Sequence, residues 1–264
     1  MDIKSFLITI LVITLSTIAS LVGLYMVRKR VAIEDLRACH EVAGYLISII
    51  GTLYAVLLGF IVVDSLTKFD RARVLVEEEA SGVANVFFLA DNFPQKERHQ
   101  IHVGCLRYVD AVLEEEWETM KDGQPSPRAL NEIRQLWAVI SRFEPKTQNN
   151  VSQWEAMLSS MDELGTSRRL RIISAKYGLS SVMATVLMIG AVITIVFTYF
   201  FGLEKFKAQA MMTALVSITL SLNICLVLLY GYPFRRGLQV EPTALMFDKK
   251  VITLELEQRG EALR

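Results

Sequence analysis

The chain has 264 residues, 28 basic and 28 acidic side chains for a formal net charge of zero, and 52% hydrophobic residues. That content, with a mean hydropathy of +0.37, is high for a soluble protein and places the chain in the membrane class. No basic surplus points to nucleic acid as a partner, and the three cysteines, Cys39, Cys105 and Cys225, stand at no metal or redox spacing, so they read as free thiols.

From Phe6 to Val27 runs an uncharged stretch of about 22 residues, closed by Arg28, Lys29 and Arg30; it is long enough to cross a hydrocarbon core of about 30 Å as a helix. Lys4 precedes it, but the apolar core is too long for a signal peptide and ends in a basic stop, so it reads as a retained span. The short connector from Val31 to His40 returns the chain, which predicts that the first two spans are antiparallel neighbours.

The second uncharged run lies between Glu41 and Asp64. On a helical wheel Gly44, Ser48, Gly51, Ala55, Gly59 and Val62 fall on one narrow face of small residues. Such a stripe suits close approach of another helix, and equally leaves room along the axis of an oligomer. No breaker follows. Phe69, Ala72, Val76, Ala80, Val83, Phe87 and Ala90 continue an apolar stripe at spacings of three and four, so this span is expected to run on into a soluble helix.

Residues 65–176 form the polar middle. Pro94 suits the first turn of a helix carrying Val109, Leu113 and Trp117, which Gly123 and Pro125 stop. Ser126 before Pro127 is a helix start, a capping hydroxyl ahead of a proline at the first position, and Leu130, Ile133, Trp137 and Ile140 follow at helical spacing. A last helix is expected from near Val151, burying Trp154, Leu158 and Met161 and passing through Lys176 into the third span. Tyr177 to Leu203 and Ala208 to Phe234 are spans three and four, joined by the tight link Glu204 to Lys207. Pro233 closes the fourth, and the tail 235–264 has room for one short helix after Pro242.

The predicted fold is therefore all-α: four transmembrane helices in two hairpins, with a helical extramembrane domain inserted between helices two and three. The divisions fall at 1–64, 65–176, 177–234 and 235–264. Lys4, Lys68, Arg71, Arg73, Arg168, Arg169, Arg171, Lys176, Arg235 and Arg236 would stand on the domain side, against Arg28, Lys29, Arg30, Arg37, Lys205 and Lys207 opposite. The excess makes the domain side cytoplasmic by the positive-inside rule, although the dense Arg28 to Arg30 cluster points the other way. The expected location is a bacterial inner membrane.

No catalytic constellation is present: no phosphate loop follows a strand, and no nucleophile elbow or zinc-protease helix occurs. His99 and His102 could share a helix face but lack an obvious third ligand, so they read as solvated side chains rather than a metal site. The runs Glu77 to Glu79 and Glu114 to Glu116 read as solvated acidic faces. The span interiors hold no charged residue, which removes the carboxylate of a coupled pump. Asn223 is their most polar group, suited to a helix-to-helix hydrogen bond or to contact with water and ions.

Several segments resemble the bestrophin-like domain family of four-helix membrane proteins: GTLYAVLLGFIVV in span two, EEEA at Glu77 to Ala80, YVDAVLEEEWETMKDGQPSPRAL in the middle, RRLR at Arg168 to Arg171 and PFRRGLQVEP after span four. Glu116, Trp117, Met120, Gly123 and Pro127 are the most specific part. Ser180 departs from the pattern where a proline is common, and Gly231 where an acidic residue often precedes the PF pair. The resemblance implies kinship with bestrophins, oligomeric anion channels with a cytosolic helical domain.

The expected function is an oligomeric ion channel with an anion preference, or else a membrane-anchored scaffold or sensor whose helical domain binds a partner. Under the first reading Gly44, Ser48, Gly51, Thr52, Ala55, Val56, Gly59, Phe60 and Val63 line the pore, with Val56, Phe60 and Val63 as its neck. Lys68, Arg71, Arg73, Arg168, Arg169, Arg171 and Lys176 would ring an electropositive vestibule; the same cations also serve as topology signals and lipid contacts. Membrane lipids, ions and further copies of the chain are the expected partners, with no cofactor, metal or nucleic acid.

Overall fold

The computed structural model describes residues 3–38, 40–145, 147–235 and 238–260. Cys39, Arg236 and the end of the tail fall outside it, as do the side chains of Lys4, Arg37 and Asn149. The described residues are helical, without strands. The chain divides into two compact units, one of Met1–Phe69 with Gly178–Gln239, the other of Asp70–Tyr177 with Val240–Arg264.

The first unit holds α1 (Ile3–Arg30), the short α2 (Ile33–Ala38), the first part of α3 (His40–Leu89), α8 (Ser181–Tyr199) and α9 (Phe206–Tyr230). Four stretches, Ser5–Arg30, one within His40–Asn92, one within Asn150–Tyr199 and Phe206–Tyr230, are long and apolar enough to cross a membrane. Helix is the conformation open to each, because in lipid every backbone polar group must be satisfied within its own segment.

The principal partner of α1 is α9, rather than the α3 to which the short connector leads. The seam is built of small hydroxyl residues: Ser16 bonds Ser221 at 2.6 Å and Ser20 bonds Ser217 at 3.0 Å. Further along, Arg28 donates to Gln209 Oε1 at 2.7 Å. Numbers rise on α1 as they fall on α9 in matching steps, so the helices are antiparallel. Between lipid tails there is no hydrophobic drive, and close backbone approach with shared hydroxyls supplies the association. Gly23 shows how close: a Cβ there would stand 2.6 Å from the Tyr199 hydroxyl, which donates to Ser20 O at 2.8 Å.

Helix α3 is seated by Tyr54. Its ring occupies the space that a Cβ on Gly190 would fill, 2.3 Å from Cε2, and its hydroxyl donates to Leu187 O at 3.0 Å. Ile61, Leu179, Leu187, Ala191 and Val227 complete this apolar cluster, with Leu58 and Val62 packed against it.

The second unit holds the rest of α3, then α4 (Gln95–Ala111), a π-helical turn (Val112–Glu116), the single turn α5 (Trp117–Thr119), α6 (Pro127–Ser141), α7 (Gln148–Lys176) and α10 (Thr243–Gln258). Its core includes Val83, Phe87, Ile101, Tyr108, Val109, Ile140, Met157, Met161, Leu164 and Leu245, all fully buried. The predicted start at Ser126 is present, the hydroxyl accepting from Ala129 N at 3.2 Å with Pro127 next. Gly123, at φ +72°, ends the preceding run, a left-handed position that suits glycine.

Three further sequence expectations change. The last helix of the middle starts at Gln148, capped by Thr147, rather than near Val151. It does not continue into the third span: α7 ends at Lys176 and α8 begins at Ser181, across an extended Tyr177 (φ −101°, ψ 95°). Glycine is needed at the break, since a Cβ on Gly178 would meet the Tyr232 ring at 2.1 Å. The tail helix is 16 residues long and belongs to the second unit, where Lys249 pairs with Asp110 at 2.6 Å and Arg259 pairs with Asp91.

Candidate functional site

One face of α3 is held and the other is open. Tyr54, Ile61 and Ser65 are buried, whereas Val63, nine residues beyond Tyr54 and so about 180° round the helix, is 61% exposed. Phe60 is 72% and Val56 55% exposed. The small stripe runs along the flank: a Cβ added at Gly44, Gly51 or Gly59 meets nothing within 4 Å, and Ser48, Thr52 and Ala55 are exposed. The Ser48 and Thr52 hydroxyls donate to Gly44 O and Ser48 O, 2.9 and 2.7 Å away, on their own helix. All nine residues named from the sequence thus share the broad face of α3 that no other helix of the first unit covers.

Asn223 lies elsewhere. Half-buried on α9, it donates back to Thr219 O at 2.9 Å. The helix-to-helix hydrogen bonds expected of it are made by Ser16, Ser20, Ser217, Ser221 and the pair Thr198 and Thr213, 3.1 Å apart.

The seven cations assigned to a vestibule divide by environment. Lys68 pairs with Asp64 at 2.7 Å, Arg71 with Glu78 at 3.7 Å and Arg73 with Glu77 at 3.6 Å, partly neutralising each other at the surface. Arg169 and Lys176 are exposed; the Lys176 ammonium stands 5.7 Å from the Tyr177 ring. Arg168 and Arg171 are buried and do not face solvent as the sequence reading had them. Arg171 Nη2 donates to Glu79 Oε1 at 2.9 Å and Glu116 Oε1 at 2.8 Å. Arg168 Nε donates to Glu116 Oε1 at 3.0 Å. The Tyr108 hydroxyl closes the network on Glu79 Oε1 at 2.6 Å, and Ser126 N donates to Glu116 Oε2 at 3.1 Å.

The expectation of solvated acidic faces is corrected for Glu79 and Glu116, both fully buried. Arg168 and Arg171, three apart on α7, reach the same side, and two carboxylates answer two guanidinium groups, so the buried charge balances. The π-helical turn inserts one extra residue per turn and carries Glu116 to its place. Burial would lower the Arg171 pKa, but the adjoining carboxylates of Glu79 and Glu116 outweigh it and hold the group charged. Burial, and then Glu79, push the Tyr108 phenol well above its ordinary range. Glu79, Glu116 and Tyr108 stand in the family-like segments, but no buried role was expected of them. A signal existed: Glu79 shares a helical stripe with Ala72, Val76 and Val83, all of them buried.

His102 is also corrected. It is fully buried, stacked on Phe87 with ring centroids 4.2 Å apart, and its Nε2 lies 3.1 Å from Phe87 O. A carbonyl only accepts, so Nε2 carries the proton. Among the described residues no group of three His, Cys, Asp or Glu side chains is placed to hold a metal ion.

An all-helical protein with four membrane-crossing stretches and a second helical unit is an integral membrane protein, and its fold is that of the bestrophins. The chain belongs to the Bestrophin-like domain family, whose domain matches residues 14–245. A bacterial bestrophin homologue from Klebsiella pneumoniae superposes with a TM-score of 0.67 at 15% identity, covering 97% of this chain and 99% of that one. A single-residue variant of a homologue from the same organism gives 0.68 at 14% identity, over 98% and 100%. A crystal structure described as that of a membrane protein gives 0.66 at 16%, over 94% and 96%. No curated protein matches the sequence.

Proposed function

We propose that the protein is the subunit of an oligomeric ion channel in a bacterial inner membrane, with the face of α3 from Gly44 to Val63 lining the pore and the second unit in the cytoplasm. The observation that carries the reading is the pairing of a fixed face at Tyr54 with an uncovered face bearing Gly51, Phe60 and Val63. Such a face, small along one flank and apolar at its centre, suits a wall shared by several copies, with Phe60 as a hydrophobic constriction that conducts or dewets according to its width. Family membership and the bestrophin fold support it. Anion preference rests on Arg169 and Lys176, the exposed cations of the set without a described carboxylate partner, since Lys68, Arg71 and Arg73 are paired.

The test is flux from the purified protein in liposomes, with chloride and potassium measured separately. Flux that Gly51→Leu abolishes without loss of assembly supports the pore. A silent, assembled protein supports the second reading, a membrane-anchored scaffold. The observation favouring that alternative is the exposure of Met246, Phe247 and Leu254 on α10, beside an apolar groove that Leu113 helps to line.

A further inference from the structure

We propose that Arg28 and Lys29, framed by Tyr25 and Phe206, form a binding site for the phosphate of an anionic phospholipid headgroup. Arg28 and Lys29 close α1, and Phe206 opens α9. Because these helices are antiparallel, both ends meet at one membrane boundary, where they frame an open depression of about 290 Å³ lined by these four residues.

The depression is built rather than incidental. Arg28 Nη1 donates to Leu203 O at 2.6 Å and to Gln209 Oε1 at 2.7 Å. Gln209 is itself 1% exposed and fixed by its own donation to Tyr199 O at 3.2 Å. The guanidinium lies 5.8 Å from the Phe206 ring centroid. Both held contacts use one nitrogen of a group with five N–H donors, so Nη2 and Nε remain to face an acceptor. The described partners of Arg28, Leu203 O and Gln209 Oε1, are neutral, and among the described residues no carboxylate is paired with it or with Lys29.

Two cations at a bilayer boundary attract anionic headgroups, and a fork of N–H donors matches phosphate oxygens. Tyr25, 58% exposed, and Phe206, 40% exposed, are aromatics at the depth where rings favour the headgroup region; they suit the glycerol side of the lipid. The volume accommodates a headgroup and leaves the acyl chains along the exposed apolar flank of α1. The cluster Arg28 to Arg30 opposes the positive-inside count, and a binding role accounts for cations placed there. The proposal rests on the membrane assignment and not on conduction.

The experiment uses the full-length Tyr25→Trp protein in phosphatidylcholine vesicles, with brominated phosphatidylglycerol or brominated phosphatidylcholine as quencher and the protein retaining Tyr25 as background. Phosphatidylglycerol is expected to quench the added tryptophan several-fold more than phosphatidylcholine at equal fraction. Lys29→Gln, which leaves the Arg28 contacts intact, should bring the two lipids together while size exclusion shows the same assembly. Inorganic phosphate added to the vesicles should leave the quenching unchanged. Equal quenching by both lipids in the parent protein overturns the site, as does an undiminished preference in Lys29→Gln, and displacement by free phosphate overturns the lipid as its source.

Discussion

The Arg171 guanidinium lies between the carboxylates of Glu79 and Glu116, with all three side chains fully buried and Nη2 shared between them at 2.9 and 2.8 Å. A buried ion pair adds little net stability over an apolar pair of the same shape, yet removing one partner strands the other's charge. Arg171→Met leaves Glu116 with Arg168 but strands Glu79 in the core with only the Tyr108 hydroxyl. It should cost about 3–5 kcal/mol and lower the thermal midpoint of the solubilised protein by roughly 10 °C. An unchanged midpoint would mean that the network is solvated in the assembled protein.

Two glycines should respond in opposite ways. At Gly190 a Cβ would stand 2.3 Å from the Tyr54 ring, so Gly190→Ala should destabilise the first unit by about 1–3 kcal/mol through overpacking, and Tyr54→Leu in the same chain should relieve part of that. At Gly51 a Cβ has open space. Gly51→Ala should leave monomer stability unchanged, and any effect should appear in assembly or flux. Thermal unfolding followed alongside size exclusion separates the two.

Asp248 on α10 carries a pH dependence. Burial raises its carboxyl from 3.8 to about 6, and its Oδ2 has no hydrogen-bond partner in the structure. The folded state thus holds the proton more tightly than the unfolded chain, so stability falls as pH rises from about 4 to about 6 and stays lower above that window. Asp248→Asn should be more stable than the parent at pH 7, by about 1 kcal/mol once partial exposure is allowed for, and no more stable at pH 4. Melting curves at the two pH values check the sign; a stabilisation that persists at pH 4 would place its origin outside this ionisation.

Much of the membrane architecture was legible because a bilayer constrains sequence strongly. Uncharged runs of spanning length can be only helices, and the small stripe on α3 can be read from spacing alone. The turn chemistry of Ser126 and Pro127 was equally direct. The break at Tyr177 was not, because the cause is tertiary: Gly178 is pressed by Tyr232, some fifty residues away. Arg168 and Arg171 were read as a solvent-facing rim because their counter-ions sit on other helices. Glu116 reaches them by a π-helical turn that no periodicity of three and four discloses. Asn223 drew attention as the strongest polar group in a span, whereas the seam of α1 and α9 is made by weaker hydroxyls whose value lies in their matched register.

The central claim is that the uncovered face of α3 lines a conducting path. Its most direct measurement is modification of a single cysteine at Phe60→Cys by a charged thiol reagent during chloride flux from liposomes, with Cys39 replaced by serine and the buried Cys105 and Cys225 retained. The account predicts that modification blocks or reshapes the flux at Phe60→Cys but leaves it unchanged at Leu15→Cys, an exposed position on α1 and so outside α3. Complete labelling at position 60 with flux unaltered would contradict it.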